Sequence, residues 1–192
     1  MFINYENEYF FMRAFLGISV SEDLKPRIES IQDSFYNFDI KFVERENLHF
    51  NLKFFKEIDD EKVEQLKKGL GDICKQFQPF EIKISGVGAF PTMNYVRVIW
   101  LGVKDGYQTL ASLAEMIENA LESLGFETEE RFVPHLTLGR VRTGRNKNDM
   151  IVLLKQLENI EIGKMTVDKL VFFQSKLGPN GPVYEEVFSI NI

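Results

Sequence analysis

Residues 48–54, LHFNLKF, decide how this chain folds. Apolar and polar residues alternate there with a period of two, the mark of a half-buried strand. That period sets Leu48, Phe50, Leu52 and Phe54 on one face and His49, Asn51 and Lys53 on the other. The whole chain has two histidines, and the second, His135 in PHLTLGR, lies in almost the same frame. Both occupy a His-x-[Asn/Thr]-Leu pattern, so His49 shares a sheet face with Asn51 and His135 with Thr137.

The flanking sequence repeats this arrangement. Residues 12–20 read as a first strand, preceded by an extension over residues 1–11. Leu24, Ile28, Ile31 and Phe35 recur at helical spacing, with Pro26 tolerable only in a first turn. Strands follow near residues 40–44 and 48–56, then a helix from Asp59 and Asp60 to about Phe77. Residues 80–90 and 94–103 alternate as two strands. Tyr107, Leu110, Leu113, Ala114, Ile117, Leu121 and Leu124 form a helical stripe that Gly125 ends. A strand over 131–141, the polar loop RTGRNKN, a short helix near 149–157 and two strands around DKLVFFQS and VYEEVFSI complete the chain. Each half therefore sets a histidine-bearing strand beside a long amphipathic helix. The expected fold is α+β: two similar lobes in pseudo-two-fold arrangement, with two largely antiparallel sheets, outer helices and a central cleft. Residues 12–192 are expected to form one such unit, since no Gly/Pro/Ser-rich linker divides them.

Composition narrows the function. At 192 residues and 44% hydrophobic, the chain can bury a sizeable core without disulfides or metal staples. A net charge of −6 argues against capture of duplex DNA, which needs a basic face, while leaving room for a local phosphate pocket. The single cysteine, Cys74, falls among Val63, Leu66, Leu70, Ile73 and Phe77 at helical spacing and reads as a buried hydrophobe. No apolar run approaches the roughly 20 residues of a membrane span, and the acidic, aromatic start is unlike a signal peptide. The expectation is a cytoplasmic monomer without membrane contact.

A lone histidine in a strand is more often structural than catalytic. Two in one frame, on strands able to face one cleft, suit acid–base chemistry on a phosphate: a neutral imidazole activates a nucleophile, an imidazolium protonates the leaving oxygen, and neighbouring donors hold the other oxygens. A metal site is the alternative, but two histidines without clustered Cys, Asp or Glu make too sparse a shell. No cofactor is expected.

These residues resemble the 2H phosphoesterases, named for two His-x-[Thr/Ser]-x motifs, and among them the RNA 2′,3′-cyclic phosphodiesterases once called 2′–5′ RNA ligases. The likeness runs from Met12 through ENLHFNLKFFKEI, FPTMNYVRVIWLGV, FVPHLTLGRV and the closing FFQSKLGPNGPVYEEVFSI. It implies a bilobal α+β fold and hydrolysis of terminal 2′,3′-cyclic phosphates of RNA 3′ ends or small cyclic nucleotides, with 2′–5′ ligation as a side activity. By the resemblance, His49 and His135 are the catalytic pair, His135 as base and His49 as acid. Asn51 and Thr137 bind the phosphate, and Arg140 is its charge partner. The residues alone leave the two histidine roles interchangeable, and Asn51 departs from the family's Thr or Ser. Strict alternation would turn Arg140 toward Leu136 and Leu138, so a kink near Gly139 is required to bring it into the cleft. Arg97 and Lys53 read as plain surface charges, and Phe132 as a core residue that could instead stack on a base. The rival readings are a nucleotide- or RNA-end-binding module without turnover, and a 2H enzyme for another cyclic or 2′–5′-linked nucleotide.

Overall fold

The structure is a computed structural model and describes residues 11–128, 132–179 and 181–192. The expected N-terminal extension lies outside the described residues except for Phe11, which is exposed. The elements run β1 (Met12–Ser19), α1 (Lys25–Asp33), β2 (Ile40–Phe42), a 3-10 turn (Arg45–Asn47), β3 (His49–Ile58), α2 (Asp60–Cys74), β4 (Phe80–Thr92), β5 (Tyr95–Val103), α3 (Tyr107–Ser123), β6 (His135–Val141), α4 (Lys147–Gln156), β7 (Glu161–Val167), β8 (Lys169–Leu177) and β9 (Pro182–Asn191).

Local chemistry explains the helices. Pro26 lies in the first turn of α1, where its missing N–H costs nothing. The Asp59 carboxylate accepts the Lys62 N–H at 2.8 Å and caps α2. The stripe on α3 is buried as expected, with Leu110 and Leu113 fully enclosed, and Gly125 follows the helix at φ +80°. Strand β7 is an element the sequence pattern does not reveal. Its pairing with β4 slips at Ile162, between the pairs Ile84–Gly163 and Ser85–Glu161, and the slip breaks the alternation that marks a strand.

The strands form one antiparallel sheet in the order β7-β4-β5-β6-β3-β1-β8-β9, with β2 pairing with β6 outside that path. The two expected sheets are its two halves. They meet at β3 and β6, where Phe50 opposite Leu136 is the single registered pair. Phe50 and Leu136 are both fully buried and belong to the core that Leu66, Leu70, Leu110, Leu113 and Leu154 of the helices close. Since neighbouring residues on a strand point to opposite faces, His49, Asn51, His135 and Thr137 project from the seam on the side away from that core. The antiparallel sense of the seam sets His49 toward Thr137 and His135 toward Asn51. No helix among the described residues is long and apolar enough to cross a membrane.

Candidate active site

A cavity of about 350 Å³ opens over the seam, and His49, Asn51, His135, Thr137 and Arg140 all line it. The structure thus brings together every residue that the two motifs and their resemblance single out. The two histidines are held alike. His49 Nδ1 lies 2.6 Å from the carbonyl oxygen of Asn47, and His135 Nδ1 lies 2.7 Å from that of Val133. A carbonyl only accepts, so each Nδ1 carries the proton and donates. Each Nε2 is left to the cavity, as a lone pair when the ring is neutral and as a donor when it is charged.

Aromatic rings fix both imidazoles. Phe15 stacks on His49 at 4.4 Å between centroids, and Tyr184 meets it edge-on at 5.4 Å. Phe90 meets His135 edge-on at 4.9 Å, and Trp100 lies beyond at 6.4 Å. Trp100 takes this place because Gly88 faces it: a Cβ on Gly88 would collide with the indole.

A shared backbone device shapes the two motif strands. In β3, Leu16 pairs with Lys53 but Gly17 pairs with Asn51, so Leu52 is an extra residue. In β6, Ile99 pairs with Gly139 but Trp100 pairs with Thr137, so Leu138 is an extra residue. Each bulge falls on the leucine of His-x-[Asn/Thr]-Leu and shifts all that follows by one place. Beyond Leu138, Gly139 is buried and Arg140 is turned out into the cavity. This is the kink that the cleft position of Arg140 requires, one residue earlier than Gly139. Gly139 is needed there because a Cβ would come within 2.7 Å of Ile40 Cγ2.

The equivalent shift in β3 corrects two expectations. Phe54 leaves the core face and lines the cavity, while Phe55 is buried in its place. Lys53 is not a surface charge. It is 4% exposed, and its Nζ donates to Glu118 Oε1 at 2.7 Å and to the carbonyl of Glu127 at 2.6 Å. Arg97 is exposed, as expected, stacks on the Tyr95 ring, and is not among the residues that line this cavity. Phe132 is half-buried against the core. Cys74 is buried, and burial pushes its thiol up to about 11.

Burial dominates the electrostatics. It pulls His49 below the ordinary imidazole value; the Asn47 carbonyl opposes this and the charge of His135 adds to it. Burial likewise pulls His135 down, with the Val133 carbonyl opposing and the Arg140 guanidinium reinforcing. Two imidazoles whose charged forms burial disfavours, with His135 adding to this at His49 and Arg140 at His135, are suited to share one proton between acid and base roles. Lys41, Glu44, Ser175 and Tyr184 also line the cavity, and Lys41 pairs with Glu44 at 2.5 Å. Sequence reasoning missed these. Tyr184 stands in the closing segment that resembles the family, but no pattern in the chain ties it to a histidine far away in sequence. Among the described residues no three His, Cys, Asp or Glu side chains cluster as a metal site would need.

The comparisons with known proteins agree with this architecture. A sequence model of the 2′-5′ RNA ligase superfamily matches residues 20–179. The RNA 2′,3′-cyclic phosphodiesterase of Methanothermobacter thermautotrophicus is 39% identical over 178 residues, 92% of this chain and 96% of that protein. The protein of the same name from Methanocaldococcus jannaschii is 36% identical over 176 residues, 92% and 98% of the two chains. Among solved structures, Escherichia coli LigT complexed with 3′-AMP superposes with a TM-score of 0.78 at 21% identity, over 95% of this chain and 99% of that one, a likeness of fold. With the superfamily's sequence pattern spanning most of its length, and with two histidine strands meeting at the seam of one sheet, this chain belongs to the 2′-5′ RNA ligase superfamily.

Proposed function

We propose that the chain is an RNA 2′,3′-cyclic phosphodiesterase that opens terminal 2′,3′-cyclic phosphates to 2′-phosphomonoesters without a metal. One observation carries the reading: two imidazoles, each anchored through Nδ1 to a carbonyl two residues back, share one cavity with their Nε2 atoms unengaged. The relatives named for this activity support it. In the reaction, His135 Nε2 takes a proton from water as the water oxygen bonds to phosphorus. The bond from phosphorus to O3′ breaks, and His49 Nε2 gives its proton to O3′. Asn51 and Thr137 donate to the non-bridging oxygens, and Arg140 offsets their charge. The substrate is an RNA 3′ end or a small cyclic nucleotide, and the protein works as a monomer in the cytoplasm. The test is incubation with a 2′,3′-cyclic nucleotide and with a short RNA ending in a cyclic phosphate, both in EDTA. A 2′-phosphomonoester is expected from each; a 3′-phosphate, no product, or loss of turnover in EDTA refutes the reading. Asn51 in place of Thr or Ser favours one alternative, a module that binds RNA ends without turning them over, and binding without product would support it.

A further inference from the structure

A second cavity, of about 320 Å³, lies beyond the cleft where β6 runs out. Arg140 lines the first cavity, and Val141 and Arg142 line the second. Arg142 follows Arg140 by two positions, one past the end of β6, so their Cα atoms are at most roughly 7 Å apart. Arg97 from β5, and Arg145 and Lys147 from the loop and first turn of α4, complete the wall with Tyr95. Four cations and no carboxylate line this cavity, on a protein whose net charge is −6. Among the described residues none of the four forms an ion pair. Cations elsewhere on the surface do, as in Lys83–Glu161, Lys164–Glu81 and Lys176–Glu185. Arg97 instead donates to Tyr95 Oη, which holds its guanidinium against an aromatic ring that is 52% exposed.

A row of unneutralised cations beside an open aromatic ring is the pattern that holds a single nucleic-acid strand, with cations on the phosphates and the ring on a base. The geometry points to a binding site for the RNA strand upstream of its terminal phosphate, with Arg142, Arg145, Lys147 and Arg97 on successive backbone phosphates and Tyr95 against a base. The site rests on the proposed cyclic phosphodiesterase reading and makes its substrate an RNA end rather than a free mononucleotide. It also reconciles an acidic protein with an anionic substrate, because the charged side chains that line this second cavity are all positive.

The test compares the native protein with the double variant Arg142→Ala/Arg145→Ala. Both side chains are exposed and unpaired, so the fold is untouched. On a short RNA ending in a cyclic phosphate, kcat/KM should fall on the order of tenfold; on the 2′,3′-cyclic mononucleotide it should not change. Binding of a labelled short RNA ending in a 2′-phosphate is read by anisotropy at several salt concentrations. Each single-strand phosphate contact contributes about −0.7 to the slope of log affinity against log salt, so the variant's slope should be shallower by about 1.4. Between about 50 and 200 mM salt the native protein should then lose roughly sevenfold more affinity than the variant. Equal losses on oligonucleotide and mononucleotide, or an unchanged salt slope, overturn the site. If native protein turns over no cyclic phosphate, the enzymatic reading fails by itself and the salt slopes still judge the site. The charge-keeping variant Arg142→Lys/Arg145→Lys should restore the slope.

Discussion

Asn51→Ala tests the site where this chain departs from its family's motif. The Asn51 side chain is exposed, lines the cavity, and makes no hydrogen bond to the described residues. Its backbone carries the strand pairing with Gly17, which the substitution leaves in place. Truncation therefore removes nothing that holds the fold, and stability should stay within about 0.5 kcal/mol of the native value. What it removes is an amide donor beside the phosphate. A hydrogen bond to a charged oxygen is worth about 1.5 to 3 kcal/mol. If the bond tightens mainly in the transition state, kcat/KM should fall by about ten- to more than a hundredfold. Asn51→Thr supplies a hydroxyl on a β-branched side chain suited to a strand and should preserve or raise kcat/KM. The assay is steady-state hydrolysis of a 2′,3′-cyclic nucleotide, with thermal unfolding run in parallel. An Asn51→Ala protein with native kcat/KM would show that the side chain does not touch the phosphate, leaving His49, His135 and Thr137 as the polar core of the site. An inert native protein with an active Asn51→Thr variant would favour the binding module instead.

His49→Ala and His135→Ala should each lower kcat by about 10² to 10⁴, the contribution of one general acid or base, and the double variant should fall little further; near-native turnover by either single variant refutes the pair. Because burial pulls both histidines below about 6.5 in the free protein, the profile of kcat/KM against pH should be bell-shaped with its optimum on the acid side of that value. The bound phosphate anion favours imidazolium, so the kcat profile should lie at higher pH; coincident profiles would contradict this. Lys53→Ala removes the buried ammonium shared by Glu118 and the Glu127 carbonyl and should cost about 2 to 3 kcal/mol in chemical denaturation, whereas a surface lysine would cost under about 0.5 kcal/mol. We propose that residues 12–192 suffice for catalysis, so deleting residues 1–11 should leave kcat unchanged; a loss of turnover with stability intact would place the extension at the cleft.

By itself the sequence determined the pair of strands and what stands on them. Period-two alternation is a local property, and it was legible at LHFNLKF and HLTLGR because one face of each strand is buried and the other open. The helical stripes of α2 and α3 were legible for the same reason at their own period. Tertiary structure decided the rest. Whether the halves join depends on Phe50 meeting Leu136, a contact between residues far apart in the chain. The bulges at Leu52 and Leu138 exist only as mismatches with the partner strands β1 and β5, so alternation misassigned Lys53 and Phe54, and with no partner in view it could only require a kink for Arg140. Strand β7 escaped notice through the same kind of slip against β4. Tyr184 and the Lys41–Glu44 pair reach the cavity from β9 and from β2 with the segment that follows it, brought there by sheet order alone. A period reports one residue's environment on its own strand; which strand lies next to it, and in what register, is settled by packing across the whole sheet.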